Sequence, residues 1–381
     1  MTKVKFEDVA TRVNTREDRL NTSLLYYVGG EHIESNEMLV QGCGLIKGST
    51  IGPMFYCGFK KGDILLVSRN PHLRKASMVE FDGICSEKTF VLGTKDSKVL
   101  LQEFLALVMQ SDDFWNYCEE HKSGGVNYFL NWSTLAKYEF YLPSIQEQKE
   151  IADKVWSAYR LKESYKKLLV ATDEMVKSQF IEMFGNPLSL NQKNELKRLG
   201  ECCILNPRRP NIALCDTDKV SFIPMPAVSE DGYLVDMTDE EYGKVKKGFT
   251  YFENNDVLFA KITPCMENGK GAIVHGLTNG IGMGSTEFHV LRPINGISSP
   301  YWLLALTRMP IFRERAAKNM SGTGGQKRVS ASYLDHFMVG LPAIEEQRRF
   351  EAIYKQADKS KFELKQCIEN IDKVIKSLIN G

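Results

Sequence analysis

The sequence has no excess of charge of either sign. Its 381 residues carry 49 Lys and Arg against 48 Asp and Glu, a formal net charge of +1. That balance excludes a polybasic protein that coats nucleic acid through the field of the whole molecule, and it leaves any such contact to local basic surface. No run approaches the roughly 18 apolar residues of a membrane span. The opening MTKVKFEDVATRVNTRED is charged and lacks the apolar region of a secretory signal. The expected compartment is the cytoplasm. The nine cysteines, Cys43, Cys57, Cys85, Cys118, Cys202, Cys203, Cys215, Cys265 and Cys367, include no CxxC pair and no disulfide-framework spacing, so they are expected to be reduced and mostly buried. The six histidines form no HxH or HxxxH pair, which argues against a zinc site. A phosphate-binding GxxxxGK[ST] loop is missing too; the nearest segment, Glu267-Asn268-Gly269-Lys270-Gly271, lacks both the leading spacing and the hydroxyl residue after lysine.

What the chain does have is ordinary globular composition, 43% hydrophobic and 25% charged, and enough length for two domains that each bury a core. It also has an internal repeat. LPSIQEQKEI at 142–151 returns as LPAIEEQRRF at 341–350, a shift of 199. At the same shift Leu135 meets Leu334, Ser133 meets Ser332, and Leu105-Ala106-Leu107 meets Leu304-Ala305-Leu306. Further upstream, with a six-residue length difference in a loop, Lys61-Gly62-Asp63-Ile64-Leu65 pairs with Asn254-Asn255-Asp256-Val257-Leu258, and Pro71 with Pro264. Gly124-Gly125 is paired with Gly324-Gly325. An ordered series of matches along the whole chain indicates tandem duplication.

Each half has the same internal order. A mixed globular part with short β-like runs, such as Asp63-Ile-Leu-Leu-Val67 and Asp256-Val-Leu-Phe259, is interrupted by glycines and followed by a long helix. The expected class is α+β, with globular parts at 1–141 and 188–340 and helical segments at 142–187 and 341–381. The first helix opens with Ser144 as cap and Glu147 placed to reach back, a capping box, and closes at Gly185-Asn186-Pro187. The second has Ala343 at the cap, which weakens its start by roughly 1 kcal/mol.

Both helices carry a heptad seam. In the second it runs Phe350, Tyr354, Ala357, Lys361, Leu364, Ile368, Ile371, Ile375 and Leu378; in the first, Ile151, Val155, Ala158, Lys162, Tyr165, Leu169, Thr172 and Val176. A lysine occupies the same seam position in both. The simplest packing sets the two helices against each other, antiparallel and related by a pseudo-two-fold, as a coiled coil. The alternatives are packing of each seam on its own globular part, or dimerisation of the chain.

This layout, a variable part, an LPxIxEQ helix, a second variable part and a second LPxIxEQ helix, resembles the specificity subunit of type I restriction-modification systems over essentially the whole chain. The resemblance implies two target recognition domains, each reading one half of a split double-stranded DNA sequence. It implies helices that space those domains and dock two methyltransferase subunits, with restriction subunits that act as ATP-driven translocases. S-adenosylmethionine, ATP and Mg would then sit on those partners and not on this chain, which would be non-catalytic. A DNA methyltransferase would need a glycine-rich cofactor loop and an Asn/Asp-Pro-Pro-aromatic motif, and neither occurs. Asp82 with Glu87-Lys88 imitates a nuclease cluster only loosely.

Candidate DNA contacts are loops that join glycine, amide or hydroxyl groups with positive charge, because backbone amides and Lys or Arg hold phosphates while Arg, Asn and Gln read base edges. One equivalent pair precedes the two helices. It offers Lys122, Ser123, Gly124, Gly125 and Asn127 in the first half, and Ser321, Thr323, Gly324, Gly325, Gln326, Lys327 and Arg328 in the second. Another pair follows the Asp63 and Asp256 strands, with Arg69, Asn70, Arg74 and Lys75 in one copy and Lys261 and Lys270 in the other. The dibasic pairs Arg208-Arg209 and Lys246-Lys247 are weaker phosphate candidates. A pure coiled-coil scaffold without sequence-specific DNA binding would account for the helices but gives no reason for two divergent, loop-rich globular parts.

Overall fold

The computed structural model describes residues 2–185, 194–323 and 325–381. The chain divides into two compact units, Met1–Lys167 with Leu364–Gly381, and Leu168–Glu363. The divisions fall inside the two long helices, Ile145–Phe184 and Ile344–Asn380.

In the first unit the apolar run identified in the sequence becomes the strand Ile64–Val67. It pairs antiparallel with Thr89–Thr94 on one side and Ala76–Met78 on the other, while Ala10–Arg12 extends the sheet beyond Thr89–Thr94. The run is continuous because both faces are covered. Ile64, Leu66, Phe90 and Leu92 enter one core with Phe6 of the short helix Phe6–Val9 and with Leu105, Phe114 and Trp115 from the helices Gln102–Val108 and Asp112–Glu120. The alternate residues Leu65 and Val91 enter a second core with Val28, Phe59 and Cys85 of a five-stranded sheet. Ser111 caps the second of those helices, accepting from the Phe114 amide at 3.2 Å.

The second unit repeats the plan. Val257–Ala260 pairs with Phe288–Pro293 and Gly271–Ile273, and Cys203–Leu205 lies outside Phe288–Pro293. Val257, Phe259 and Leu291 face a core with Leu304, Leu306, Trp302 and Phe312, whereas Leu258, Ala260 and Val290 face another with Phe252 and Ile223. The second sheets also match: each contains one parallel pair, Tyr26–Val28 with Gly83–Ser86 and Lys219–Ile223 with Ile281–Gly284. The duplication read from short identities is therefore a duplication of topology and register, and the class is α+β.

The helix segments behave alike in both units. In the first, Ala152, Val155, Trp156 and Tyr159 join the unit's own core, together with Ile375 from the end of the second long helix. In the second, Val176, Phe180 and Phe184 pack on Phe350, Tyr354 and Ala357, with Phe350 5.3 Å and 5.5 Å from the rings of Phe180 and Phe184. Lys361 meets Asp173 farther along, so the two segments run antiparallel within that unit. Each seam thus packs both on its own unit and on a segment of the other helix. One seam position needs correction: Leu378 is 37% exposed, and Ile379 packs against the core in its place. Ile371, Ile375 and Ile379 follow steps of four, the drift expected of a 3.6-residue helix against a strict 3.5 repeat.

The LPxIxEQ motif has a structural explanation. Gln148 and Gln347 are wholly buried. Gln148 accepts from the Leu101 amide at 3.0 Å and donates to the carbonyls of Val99 and Pro143 at 2.9 and 3.0 Å. Gln347 does the same with the Ser299 amide at 2.8 Å and the carbonyls of Ile297 and Pro342, both at 2.9 Å. Each amide satisfies three backbone groups at the start of a core helix, which no apolar side chain could do. The capping box is formed as expected, with Glu147 accepting from the Ser144 amide at 2.8 Å. Gly185 takes φ 70° after the helix; Asn186, Pro187 and the boundary at 188 lie outside the described residues. All nine cysteines are free, but only Cys85, Cys118, Cys202 and Cys203 are buried. The expectation of mostly buried thiols fails because Cys43, Cys215 and Cys367 lie on loops or on an outward helix face.

Candidate nucleic-acid interface

The two loop pairs picked out in the sequence come together within each unit. Ser68–Lys75 joins Ile64–Val67 to Ala76–Met78, and 121–131 follows the helix Asp112–Glu120. Arg69 and Phe129 form a β-bridge, Asn70 donates its amide to the Tyr128 carbonyl at 2.9 Å, and Leu130 donates to Ser68 at 2.8 Å. In the second unit Ile262 and Arg328 form the corresponding bridge, Thr263 donates to the Lys327 carbonyl at 3.0 Å, and Val329 donates to Lys261 at 3.0 Å. Segments distant in sequence are thereby laced into one edge mainly by main-chain bonds, with the Thr263 hydroxyl adding one to the Lys327 carbonyl at 3.3 Å in the second unit, and most side chains are left free to differ.

A second bridge closes each loop, Ser123 to Phe129 and Ser321 to Arg328. This sets the correct correspondence of glycines. Gly124, at φ 99°, follows Ser123 and sits so close to Asn127 that a Cβ would lie 2.6 Å from its carbonyl oxygen. Gly322, at φ 140°, follows Ser321 and is closer still to the Gln326 carbonyl. The counterpart of Gly124 is therefore Gly322 and not Gly324, because the second loop is one residue longer between its bridge partners. Both positions need glycine for conformation and for space. Gly125 and Gly325 have open space around them, and Gly324 lies outside the described residues.

The candidate side chains fall into two groups. Arg69, Asn70 and Asn127 are exposed, as are Thr323, Gln326 and Lys327. Others are engaged within the unit. Arg74, at the strained φ of 49°, pairs with Asp112 at 2.6 Å, and the Arg74 bond holds the Asp112 carboxyl below its ordinary range. Lys75 donates to the Gly30 carbonyl at 2.6 Å. Lys122 pairs with Glu119 at 2.7 Å and lies 4.3 Å from the Tyr128 ring centre. Ser123 accepts from Asn131 at 3.2 Å. Lys261 and Lys270 are half-buried at the base of the second edge, where Ala260 donates its amide to the Lys270 carbonyl. Arg209 and Lys246 are grouped at the Tyr242 ring, away from these edges.

Three groups carry the edges without having been singled out in the sequence. Phe129 lies under the Arg69 guanidinium, 5.4 Å from it. Glu287 binds Arg328 through Nε at 2.9 Å and Nη2 at 2.7 Å, and Arg328 in turn lowers the pKa of the Glu287 carboxyl. His289, behind the edge, bonds through Nε2 to the Val329 carbonyl at 2.9 Å and through Nδ1 to Asn206 at 3.0 Å. Burial pushes its pKa down, so it stands neutral there. Phe129 belongs to its loop but meets Arg69 only through the bridge, while Glu287 and His289 reach the second edge from the strand Phe288–Pro293 and its start; no local pattern signals either.

These features define a duplicated α+β module that presents one laced loop edge per copy. The chain belongs to the family of type I restriction modification DNA specificity domains, whose pattern it matches over residues 27–169 and again over 191–373. It is 36% identical over 173 residues to the specificity subunit of the type I restriction enzyme EcoEI of Escherichia coli, a match covering 45% of this chain and 28% of that one. It is 43% identical over 136 residues to the specificity subunit of EcoAI, also from Escherichia coli, covering 35% and 23%. These matches span about a quarter of the length of those relatives. The type I restriction-modification S subunit from M. genitalium has the same fold, with a TM-score of 0.59 at 15% identity over 99% of this chain and 94% of that one.

Proposed function

We propose that this chain is the DNA sequence-recognition subunit of a type I restriction-modification enzyme, and that each globular part reads one half of a bipartite duplex. The observation that carries this reading is the pair of laced edges: the same main-chain bridges recur in both units, while the side chains on them differ. A common frame with divergent side chains is what two different half-sites require. Lys327, Lys270, Lys261 and Lys122 supply charge for phosphates. Arg69, Asn70, Asn127, Gln326 and Arg328 supply donors for base edges. Gly124, Gly125, Gly322 and Gly325 let the main chain approach the duplex.

The chain performs no chemistry of its own. Two methyltransferase subunits and the restriction subunits bring S-adenosylmethionine, ATP and Mg, and the complex works in the cytoplasm. No helix among the described residues is long and apolar enough to cross a membrane. The long helices dock those subunits and set the gap between half-sites.

The test is the methylated motif in DNA from cells that carry the complete system. Replacing 188–340 with the equivalent part of a relative is expected to change one half of that motif only. A change in both halves would contradict the assignment of one reader to each globular part. If the complete complex captured every duplex equally in a gel-shift assay, a scaffold role would be favoured instead.

A further inference from the structure

Each unit fixes a single arginine at the bridge where its two loops meet, and the two units do so by different means. In the first unit the guanidinium comes from the Ser68–Lys75 loop: Arg69, bridged to Phe129, lies on the Phe129 ring. In the second the places are exchanged. Ile262 stands where Arg69 stood, and Arg328 takes the place of Phe129. One guanidinium therefore occupies the same bridge in both copies, although opposite strands contribute it.

The restraint on Arg328 is directional. A guanidinium has five N–H groups in one plane. Glu287 takes the Nε hydrogen and one on Nη2, at 2.9 and 2.7 Å, and so holds one edge of the fork. Gln326 takes at most one more, from Nη1 through its carbonyl at 3.4 Å. The end of the fork keeps a donor on each terminal nitrogen. Arg328 is 40% exposed in its side chain, whereas Glu287 is 26% exposed. Two parallel donors at a fixed orientation match two neighbouring acceptors, and on the floor of the major groove that pattern belongs to the O6 and N7 of guanine.

We propose that Arg328 and Arg69 are the base-reading arginines of their respective units, each selecting a guanine in its half-site, with Glu287 and Phe129 as the residues that position them. This deepens the recognition reading above and rests on it. Neither positioning residue touches DNA. A carboxylate facing the phosphate-rich duplex would oppose binding unless neutralised, and Arg328 neutralises Glu287.

The test uses the complete complex with its methyltransferase and restriction subunits. Duplexes carrying the target have each guanine replaced, one at a time, by 7-deazaguanine, which lacks the N7 acceptor. For the wild type, one position in the half-site assigned to 188–340 is expected to weaken binding by about 5- to 150-fold. Arg328→Ala should be insensitive to that same replacement while keeping full sensitivity in the other half-site. Glu287→Gln should relax the methylated motif at that one position and leave the rest intact. Arg328→Lys, which keeps the charge but has no paired donors, should lose the preference for guanine yet still bind. Arg69→Ala should give the reciprocal pattern in the other half-site.

Undiminished sensitivity of Arg328→Ala at every guanine would overturn the proposal, as would an equal loss at all positions for Glu287→Gln, which marks a merely structural residue. Those results leave the recognition reading standing, since the wild type would still select its target. If the wild-type complex showed no sequence selectivity, the recognition reading itself would fall.

Discussion

Lys361 sits in the middle of an apolar seam, 5% exposed, and donates to Asp173 at 2.7 Å. The same bond exists 199 residues earlier on one helix and later on the other: Lys162, 7% exposed, donates to Asp372 at 2.9 Å. The repeat thus carries both partners of the pair, and each pair forms inside one unit. The surroundings have diverged. Asp358, at 3.4 Å, also faces Lys361 and accepts from the Tyr233 hydroxyl at 2.6 Å, while Glu37 faces Lys162 at 3.4 Å and accepts from Tyr159 at 2.8 Å.

A buried ammonium with partners is weak evidence of net stabilisation, but removal of a partner is costly. Asp173→Ala is expected to destabilise the chain by about 1–2 kcal/mol, less than for a fully buried pair because Asp173 is 41% exposed and Asp358 remains. Pairing Asp173→Ala with Lys361→Met is expected to cost clearly less than the sum of the two single losses. A double-mutant cycle from denaturant unfolding checks it, and a simple sum of the two single losses would show that the pair is not coupled.

Gln148 and Gln347 each satisfy three backbone groups, so Gln347→Leu strands the Ser299 amide and the Ile297 and Pro342 carbonyls in a dry site. The expected cost is about 2 kcal/mol or more. Gln148→Leu should cost a similar amount in its own unit. Thermal melts of the two variants measure this directly; an unchanged midpoint would mean that water reaches the site.

His289 has its pKa lowered from the ordinary 6.5, first by burial. The unfolded chain therefore binds the proton more readily than the folded one, and stability present above about pH 6.5 is lost as pH falls from there toward the folded value. His275, lowered by burial and by Lys355, adds in the same sense. Melts at pH 7.0 and pH 5.5 should show a smaller drop for His289→Gln than for the wild type. An identical drop would assign the acid sensitivity elsewhere.

The second long helix lacks a side-chain cap: Ala343 is exposed, and Glu346 donates its amide to the Ala343 carbonyl. Ala343→Ser would recreate the Ser144–Glu147 arrangement with Glu346 and is expected to add about 1 kcal/mol. Ser144→Ala should remove a comparable amount, read as opposite shifts in the denaturation midpoint.

Local pattern was enough to determine the duplication, the α+β class, the two long helices with a capping box on the first alone, the matched seam lysines and the loops that form the edges. Period and caps are written residue by residue and act within a few turns or one strand, and the repeat is legible by matching the chain against itself. Only the tertiary structure decided what depends on contacts between distant segments. It laced 68–75 to 121–131 and 261–270 to 319–330, matched Gly124 with Gly322, and ended the seam at Ile379. It also turned Arg74 and Lys75 to internal partners while leaving Arg69 on Phe129 and Arg328 on Glu287. Those partners come from other strands, and a hydrogen bond or ion pair across a sheet leaves no spacing in the sequence from which it could be read.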